Sequence, residues 1–179
     1  LRFVEPFHAD AGYIKALAQH VNDYWTKHGR PNQLVLSFHG VPRRTLELGD
    51  PYHCFCHSTG RLLARELGLT SDQWTLTFQS RFGKAPWLKP YTVDVMQKLG
   101  AAKSARVDVF CPGFVADCLE TLEEIAMEGK AVFVKAGGGE FHAIPCLNEH
   151  PAWISAMADL AYRNLTGWLE APPDRDARE

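Results

Sequence analysis

Short apolar runs of strand length alternate along this chain with longer segments in which apolar residues recur every three or four positions. The runs predict an edge strand at 1–6 and four further strands at 34–38, 74–78, 107–110 and 141–144. The amphipathic segments predict helices over about 10–27, 56–67, 92–99 and 151–169, and a further helix that starts near 115. Strands that alternate with helices in this order favour a parallel sheet flanked by helices on both faces, which is an α/β fold.

The helix that follows Pro112 and Gly113 carries an acidic face as well as an apolar one. Its predicted inner face consists of the apolar residues Val115, Leu119, Leu122 and Ala126. Its acidic residues lie four positions apart, at Glu120, Glu124 and Glu128. Like charges at this spacing repel by about 0.2–0.5 kcal/mol per pair, and a cation along the row would remove that cost. Spacing alone leaves two interpretations open, a solvated acidic face and a metal-binding row.

Polar side chains follow two of the predicted strands at their carboxyl ends, where open α/β sheets bind ligands. His39 ends the strand at 34–38, and Gln79, Ser80 and Arg81 follow the strand at 74–78. An imidazole can take up a proton near neutral pH or bind a borderline first-row metal. We expect His39 to face Glu120 across this rim, so that the pair can handle protons and a divalent cation together.

An aromatic segment follows the second of these strands. Trp87 lies in a loop beside Pro86, with Phe82, Leu88 and Tyr91 nearby. The segment predicts a wall for a flat apolar ligand, whose polar or anionic substituents Gln79, Ser80 and Arg81 would meet. The alternative is that Trp87 belongs to the core, where aromatic residues are often buried.

Composition and charge exclude several classes of partner. A formal net charge of -2 gives no basic footprint of a nucleic-acid-binding protein. The sequence has neither an apolar run of membrane-spanning length nor a basic and apolar leader, so we expect a cytoplasmic protein. Docking of the folded protein on a membrane surface stays open. Because the chain begins at Leu1 rather than Met, we expect a fragment or a processed product.

The five cysteines favour reduced thiols over a disulfide framework, because a domain of this size does not need covalent staples. They are Cys54, Cys56, Cys111, Cys118 and Cys146. His53 and His57 flank the C-x-C pair, but the spacing is not that of a standard zinc site. A 2Fe-2S cluster would need four convergent thiolates and is not favoured by this pattern.

Five segments together resemble the ferrochelatase family, and most closely the carboxyl-terminal half of its bacterial members. They are LSFHGVPRR (36–44), GDPYHCFC (49–56), TFQSRFGKAPWLKPYT (77–92), CPGFVADCLETLEEI (111–125) and FHAIPCLN (141–148). The resemblance implies a Rossmann-like chelatase fold over 1–170 that forms one lobe of a two-lobe enzyme. The polar, proline-containing tail 171–179 is predicted to be disordered.

The resemblance also implies a reaction, the insertion of Fe(II) into protoporphyrin IX to form protohaem. It assigns His39 and Glu120 as the catalytic pair and extends the metal-binding set to Glu124 and Glu128, on a helix that contains a π-type widening. It matches Trp87, Gln79 and Ser80 to porphyrin-contacting positions. It makes Asp117 a supporting residue of the same motif. Some members of the family hold a 2Fe-2S cluster, but no four-cysteine match is evident here.

Two other functions compete with this one. The chain could be a single-lobe chelatase that acts as a homodimer and inserts cobalt or nickel into a tetrapyrrole. It could also be a non-catalytic module that binds a porphyrin or a metal. In the leading interpretation the amino-terminal lobe is absent, and the chain is expected to be inactive without it.

Overall fold

The computed structural model describes residues 3–168, in which a four-stranded parallel sheet has the strand order β2-β1-β3-β4. The strands are β1 (Gln33–His39), β2 (Trp74–Gln79), β3 (Arg106–Phe110) and β4 (Glu140–Ala143). The helices are α1 (Ala11–His28), α2 (Arg43–Glu47), α3 (Tyr52–Glu66), α4 (Thr92–Ala101), α5 (Leu119–Leu122), α6 (Lys130–Lys135) and α7 (Pro151–Asn164). A π-helix (Glu124–Gly129) joins α5 to α6. The predicted α/β fold is confirmed.

Each face of the sheet has its own apolar core, because successive side chains of a strand point to opposite faces. Leu34, Leu36 and Phe38 of β1 pack with residues of α1, α3 and α7. Val35 packs on the other face, with Met96 of α4 and residues of the π-helix and α6. Helices therefore cover both faces, as predicted, and the alternation places His39 on the α4 side of the sheet.

Helix α1 follows its sequence signals. The side chain of Asp10 accepts hydrogen bonds from the backbone N–H groups of Gly12 and Tyr13, which caps the helix. The helix ends at Gly29, whose φ of 78° is in the left-handed region that favours glycine. Its buried face includes Tyr13, Leu17, Val21 and Trp25, and Trp25 donates from its indole N–H to the buried Asp108 at 2.9 Å.

The structure differs from the predicted elements at several positions. No strand forms over Phe3–Pro6, and Phe3 is 82% exposed, because no described neighbour pairs with this segment. The short helix α2 was not predicted, because none of its residues is buried and the sequence there has no helical apolar period. Helix α7 ends at Asn164 and 165–168 form turns, while residue 169 and the tail 171–179 lie outside the described residues.

The predicted inner face of the acidic helix is also wrong. Leu119 and Leu122 are 72% and 55% exposed, and the buried positions are instead Thr121, Ile125, Gly129 and Phe133. The helix starts at Leu119, several residues later than predicted, and its π segment closes i→i+5 hydrogen bonds such as Glu128 N–H to Glu123 C=O at 2.9 Å. A wider turn favours a spacing of four, so the buried row runs beside the acidic row at the same spacing.

Among residues 3–168, no helix is both long enough and apolar enough to cross a membrane.

Candidate functional site

The carboxyl ends of β1 and β2 form one rim, with His39 and Gln79 as partners in the strand register. The backbone N–H of Gly40 donates to the Gln79 carbonyl at 2.8 Å. A Cβ at Gly40 would lie 2.7 Å from that carbonyl oxygen and 3.0 Å from the Trp87 ring. The glycine therefore allows the Trp87 loop to pack directly against the strand ends.

The His39 ring is held in a defined orientation. Its Nδ1 lies 2.6 Å from the Gly40 carbonyl oxygen, which can only accept a hydrogen bond, so Nδ1 carries the proton in the neutral ring. This leaves Nε2 with a lone pair that can bind a metal ion or accept a proton. The ring centroid lies 6.4 Å from that of Trp87 and 6.3 Å from that of Phe114, so aromatic side chains flank the imidazole.

Glu120 is linked to the same rim through both its backbone and its side chain. Its carbonyl oxygen accepts a hydrogen bond from the Gln79 side-chain amide at 2.7 Å. A hydrogen bond from the Cys118 side chain lowers the pKa of the Glu120 carboxyl, and bonding to its own backbone N–H and attraction to His39 lower it further. The same bond, added to burial, raises the pKa of Cys118. Glu120 is therefore tied to the strand end through its backbone carbonyl and to Cys118 through its carboxylate.

Glu124 is the most firmly held of the three acidic side chains. Its carboxylate accepts hydrogen bonds from the backbone N–H and the hydroxyl of Ser80, both at 2.6 Å. The side-chain amide of Gln79 donates to it at 3.4 Å. Ser80 has a φ of 62°, a left-handed conformation that costs a non-glycine residue about 1–2 kcal/mol. The bonds to Glu124 offset this cost and join the end of β2 to the start of the π-helix.

The side chain of Gln79 connects Glu120 and Glu124 to the buried part of the sheet. The residue is buried, at 3% exposed. The carbonyl oxygen of its side-chain amide accepts hydrogen bonds from the Ser37 hydroxyl at 2.6 Å and the Cys111 thiol at 3.5 Å. Ser37 also bonds to Thr92, the first residue of α4. This buried polar network fixes the amide that supports both Glu120 and Glu124.

Two cavities adjoin the acidic row. One, of about 380 Å³, is lined by carboxylates together with Ser80 and Arg81; its residues are Ser80, Arg81, Leu119, Glu120, Glu123, Glu124 and Glu128. The other, of about 450 Å³, lies between the end of β2, the start of α4 and the π-helix, and Ser80, Arg81, Glu124 and Glu128 line it too. The acidic row therefore borders open space along its length.

The structure places the predicted substrate residues in two different settings. Ser80 and Arg81 line the cavities, whereas Gln79 and Trp87 are almost fully buried. Trp87 is 5% exposed, and the exposed Phe82 packs against it edge-on with ring centroids 5.0 Å apart. In this chain, Trp87 therefore lies behind the predicted aromatic wall, and the exposed Phe82 forms the surface of that wall. The assignment of these residues to substrate binding stays a prediction.

The predicted metal-binding residues form a series rather than one chelate. Within residues 3–168, no three His, Cys, Asp or Glu side chains converge as a site for a metal ion. His39 and Glu120 share the rim, Glu124 is bonded to Ser80, and Glu128 lies on the exposed side of the π-helix. The five cysteines are free thiols, and Cys54 is exposed.

Sequence reasoning overlooked the role of Cys118 beside Glu120, and it left the supporting role of Asp117 undefined. The Asp117 carboxylate accepts from the Asn148 side-chain amide at 2.7 Å, the Cys146 backbone N–H at 3.1 Å and the Thr121 hydroxyl at 3.1 Å. Burial raises the pKa of this carboxyl, but these hydrogen bonds outweigh burial and lower it overall. Asp117 thereby anchors the start of α5. The sequence signal for this role was the position of Asp117, three residues before Glu120.

Comparison with known proteins identifies the family. The ferrochelatase family model matches residues 1–165. A ferrochelatase of Nitrosomonas europaea is 60% identical over 179 residues, which is 100% of this chain and 49% of the relative. Ferrochelatases of Thioalkalivibrio sulfidiphilus and Chromobacterium violaceum are 60% and 61% identical, over 99% and 95% of this chain and 48% and 47% of their own lengths. The chain thus spans about half the length of these relatives, and it belongs to the ferrochelatase family.

Proposed function

We propose that this chain is the carboxyl-terminal lobe of an enzyme that inserts Fe(II) into protoporphyrin IX to form protohaem. The observation that carries the proposal is the shared rim of β1 and β2, where His39 is the register partner of Gln79 and the Gln79 side-chain amide bonds to Glu120 and Glu124 of the acidic row. Membership of the ferrochelatase family supports the reaction class. The chain spans about half the length of its relatives, which supports a second lobe, amino-terminal to this one, as its partner in catalysis.

The reaction requires a base beside the ring. Insertion of Fe(II) forms bonds from the metal to the four ring nitrogens and releases the two pyrrole N–H protons. His39 can accept a proton at Nε2, and the Glu120 carboxylate can accept or pass on another. We assign proton removal and metal transfer to the two residues jointly.

The acidic row supplies a route for the metal ion, which is a substrate. Carboxylate oxygens exchange with water as ligands of a divalent ion, so an ion can pass along separate carboxylates without losing all its ligands at once. In the order Glu128, Glu124, Glu120, the ion would move from the exposed end of the π-helix toward the His39 rim. Ser80 donates two hydrogen bonds to the Glu124 carboxylate, and these bonds compete with the ion for the carboxylate oxygens.

The porphyrin would lie against the wall formed by Phe82 and Trp87, with Arg81 available to a propionate group. Arg81 stacks on Tyr91 at 5.0 Å from the ring centroid, which holds its cationic group near the cavities. Gln79 and Ser80 complete the proposed substrate set. We place the reaction in the cytoplasm, with docking on a membrane surface as part of the proposal, and we assign no 2Fe-2S cluster to the chain.

The test joins this chain to the amino-terminal half of the Nitrosomonas europaea relative and measures Zn(II)-protoporphyrin formation by fluorescence. We expect turnover by the joined protein and none by the isolated chain, which should be a monomer by light scattering. Turnover by a dimer of the chain would favour a single-lobe chelatase. Porphyrin or metal binding without turnover in the joined protein would favour a binding module.

A further inference from the structure

Two histidines form a pair on α3 that the proposed reaction does not use. His53 and His57 lie four residues apart, and their ring centroids are 4.4 Å apart with the planes at 49°. Both rings rest against Phe78, at 5.9 and 6.4 Å between centroids. Phe78 belongs to the core on the α1 and α3 face, whereas Gln79 and His39 point to the opposite face. The pair is therefore separate from the His39 rim.

The ring nitrogens of this pair are free of protein partners. Within residues 3–168, neither ring has a hydrogen bond or an ion pair, and both side chains are partly exposed. Another close pair in the chain, His20 and His150, is different. There, His20 bonds to the Pro145 carbonyl and His150 bonds to Asp23 and caps α7. Of these two pairs, only His53 and His57 leave their ring nitrogens available to a ligand.

The chemistry of the pair fits a particular class of ion. Two imidazoles at positions i and i+4 lie on one face of a helix, an arrangement that binds zinc in helical metal sites. The neutral ring is the form that binds a metal. Imidazole ligands suit borderline first-row ions such as Zn(II), Ni(II) and Cu(II), rather than Mg(II) or Ca(II).

We propose that His53 and His57 form a second metal site, a two-histidine chelate for a borderline first-row divalent ion on α3. No third His, Cys, Asp or Glu joins them among the described residues, so solvent or an external ligand fills the other positions on the ion. An ion bound there would cross-link two successive turns of α3 and stabilise its first half.

The test titrates Cu(II) into the chain in a Cys54→Ser background, which removes the exposed thiol next to the pair. Removing even an outer-shell partner of a metal site typically lowers affinity by about 10–100-fold. Loss of either ligand should therefore weaken this site at least tenfold in His53→Gln and in His57→Gln. His8→Gln is the matched control, since His8 stacks on Phe55 of the same helix at 3.9 Å but is not part of the pair.

A spectroscopic measurement keeps the proposal testable if a variant folds poorly. The electron paramagnetic resonance spectrum of the parent with one equivalent of Cu(II) should contain coupling to two imidazole nitrogens, and each single variant should lose one of them. A parent spectrum without two coupled nitrogens would overturn the proposal. So would affinities in which His53→Gln and His57→Gln match His8→Gln.

Discussion

The link between Glu124 and Ser80 is a stability prediction that can be worked out from the structure. Glu124→Ala removes the acceptor of two 2.6 Å hydrogen bonds, from the backbone N–H and the hydroxyl of Ser80. Hydrogen bonds to a charged group contribute about 1.5–3 kcal/mol each. Because both groups are only half-buried and water can replace the lost acceptor, we expect a total near or below the lower end of the summed range, about 2–4 kcal/mol.

This loss should be visible in both chemical and thermal unfolding. For a chain of 150–250 residues, 1 kcal/mol shifts Tm by roughly 2–4 °C, so Glu124→Ala should lower Tm by roughly 4–16 °C. The matched control is Glu128→Ala, four residues along the same row. Glu128 is exposed and makes no side-chain hydrogen bond among the described residues, and its loss should change stability by less than about 0.5 kcal/mol.

A double-mutant cycle isolates the bond itself. Ser80→Ala removes the hydroxyl but keeps the backbone N–H, so the coupling between Ser80→Ala and Glu124→Ala measures the hydroxyl bond. We expect a coupling of about 1–2 kcal/mol, in the range measured for residues in contact. Additive effects within error, or equal losses for Glu124→Ala and Glu128→Ala, would refute the claim that this bond anchors the π-helix to the sheet.

Three further predictions concern the surroundings of the site. Gly40→Ala should destabilise the chain by about 1–3 kcal/mol in urea unfolding, because the new methyl group meets the Gln79 carbonyl and the Trp87 ring; an unchanged midpoint would contradict the packing. Asp117→Asn should lower Tm at pH 7, and the difference should shrink as the pH falls below 3.8. A carboxyl whose folded pKa is depressed stabilises the fold fully above its unfolded pKa, and this stabilisation is lost as the pH falls through the folded pKa, so a pH-independent difference would contradict the assignment. Iodoacetamide should modify the exposed Cys54 first and reach the three buried thiols only on unfolding, as followed by mass spectrometry; equal rates would contradict their burial.

Local signals were sufficient for most of the fold. The interiors of strands β1 and β3 are apolar apart from Ser37 and Asp108, and burial on both faces of a parallel sheet favours that composition. Helix α1 has a capping aspartate, a regular apolar face and a terminal glycine, each of which acts within a few residues of itself. The rim residues were found because the end of a parallel strand is a position that topology defines.

The inner face of the acidic helix could not be predicted, because it depends on a hydrogen-bond register that spacing does not reveal. The buried row runs from Thr121 of α5 to Ile125 of the π-helix, whereas Leu119 and Leu122 of α5 are exposed. The buried role of Gln79 was equally hidden, since it depends on partners from β1, β3 and the π-helix that meet only in the folded chain. Contacts between distant parts of the chain therefore determine both the buried face of the acidic helix and the role of Gln79.

The most direct test of the account compares metal insertion by the joined two-lobe protein with insertion by its His39→Ala and Glu120→Gln variants. Protoporphyrin binding is measured separately by fluorescence quenching. We expect both variants to bind the porphyrin but to lose Zn(II) and Fe(II) insertion, while Glu123→Gln, at a neighbouring position in the same cavity, retains most of it. Unchanged turnover in both His39→Ala and Glu120→Gln would contradict the assignment of the rim as the site of metal insertion.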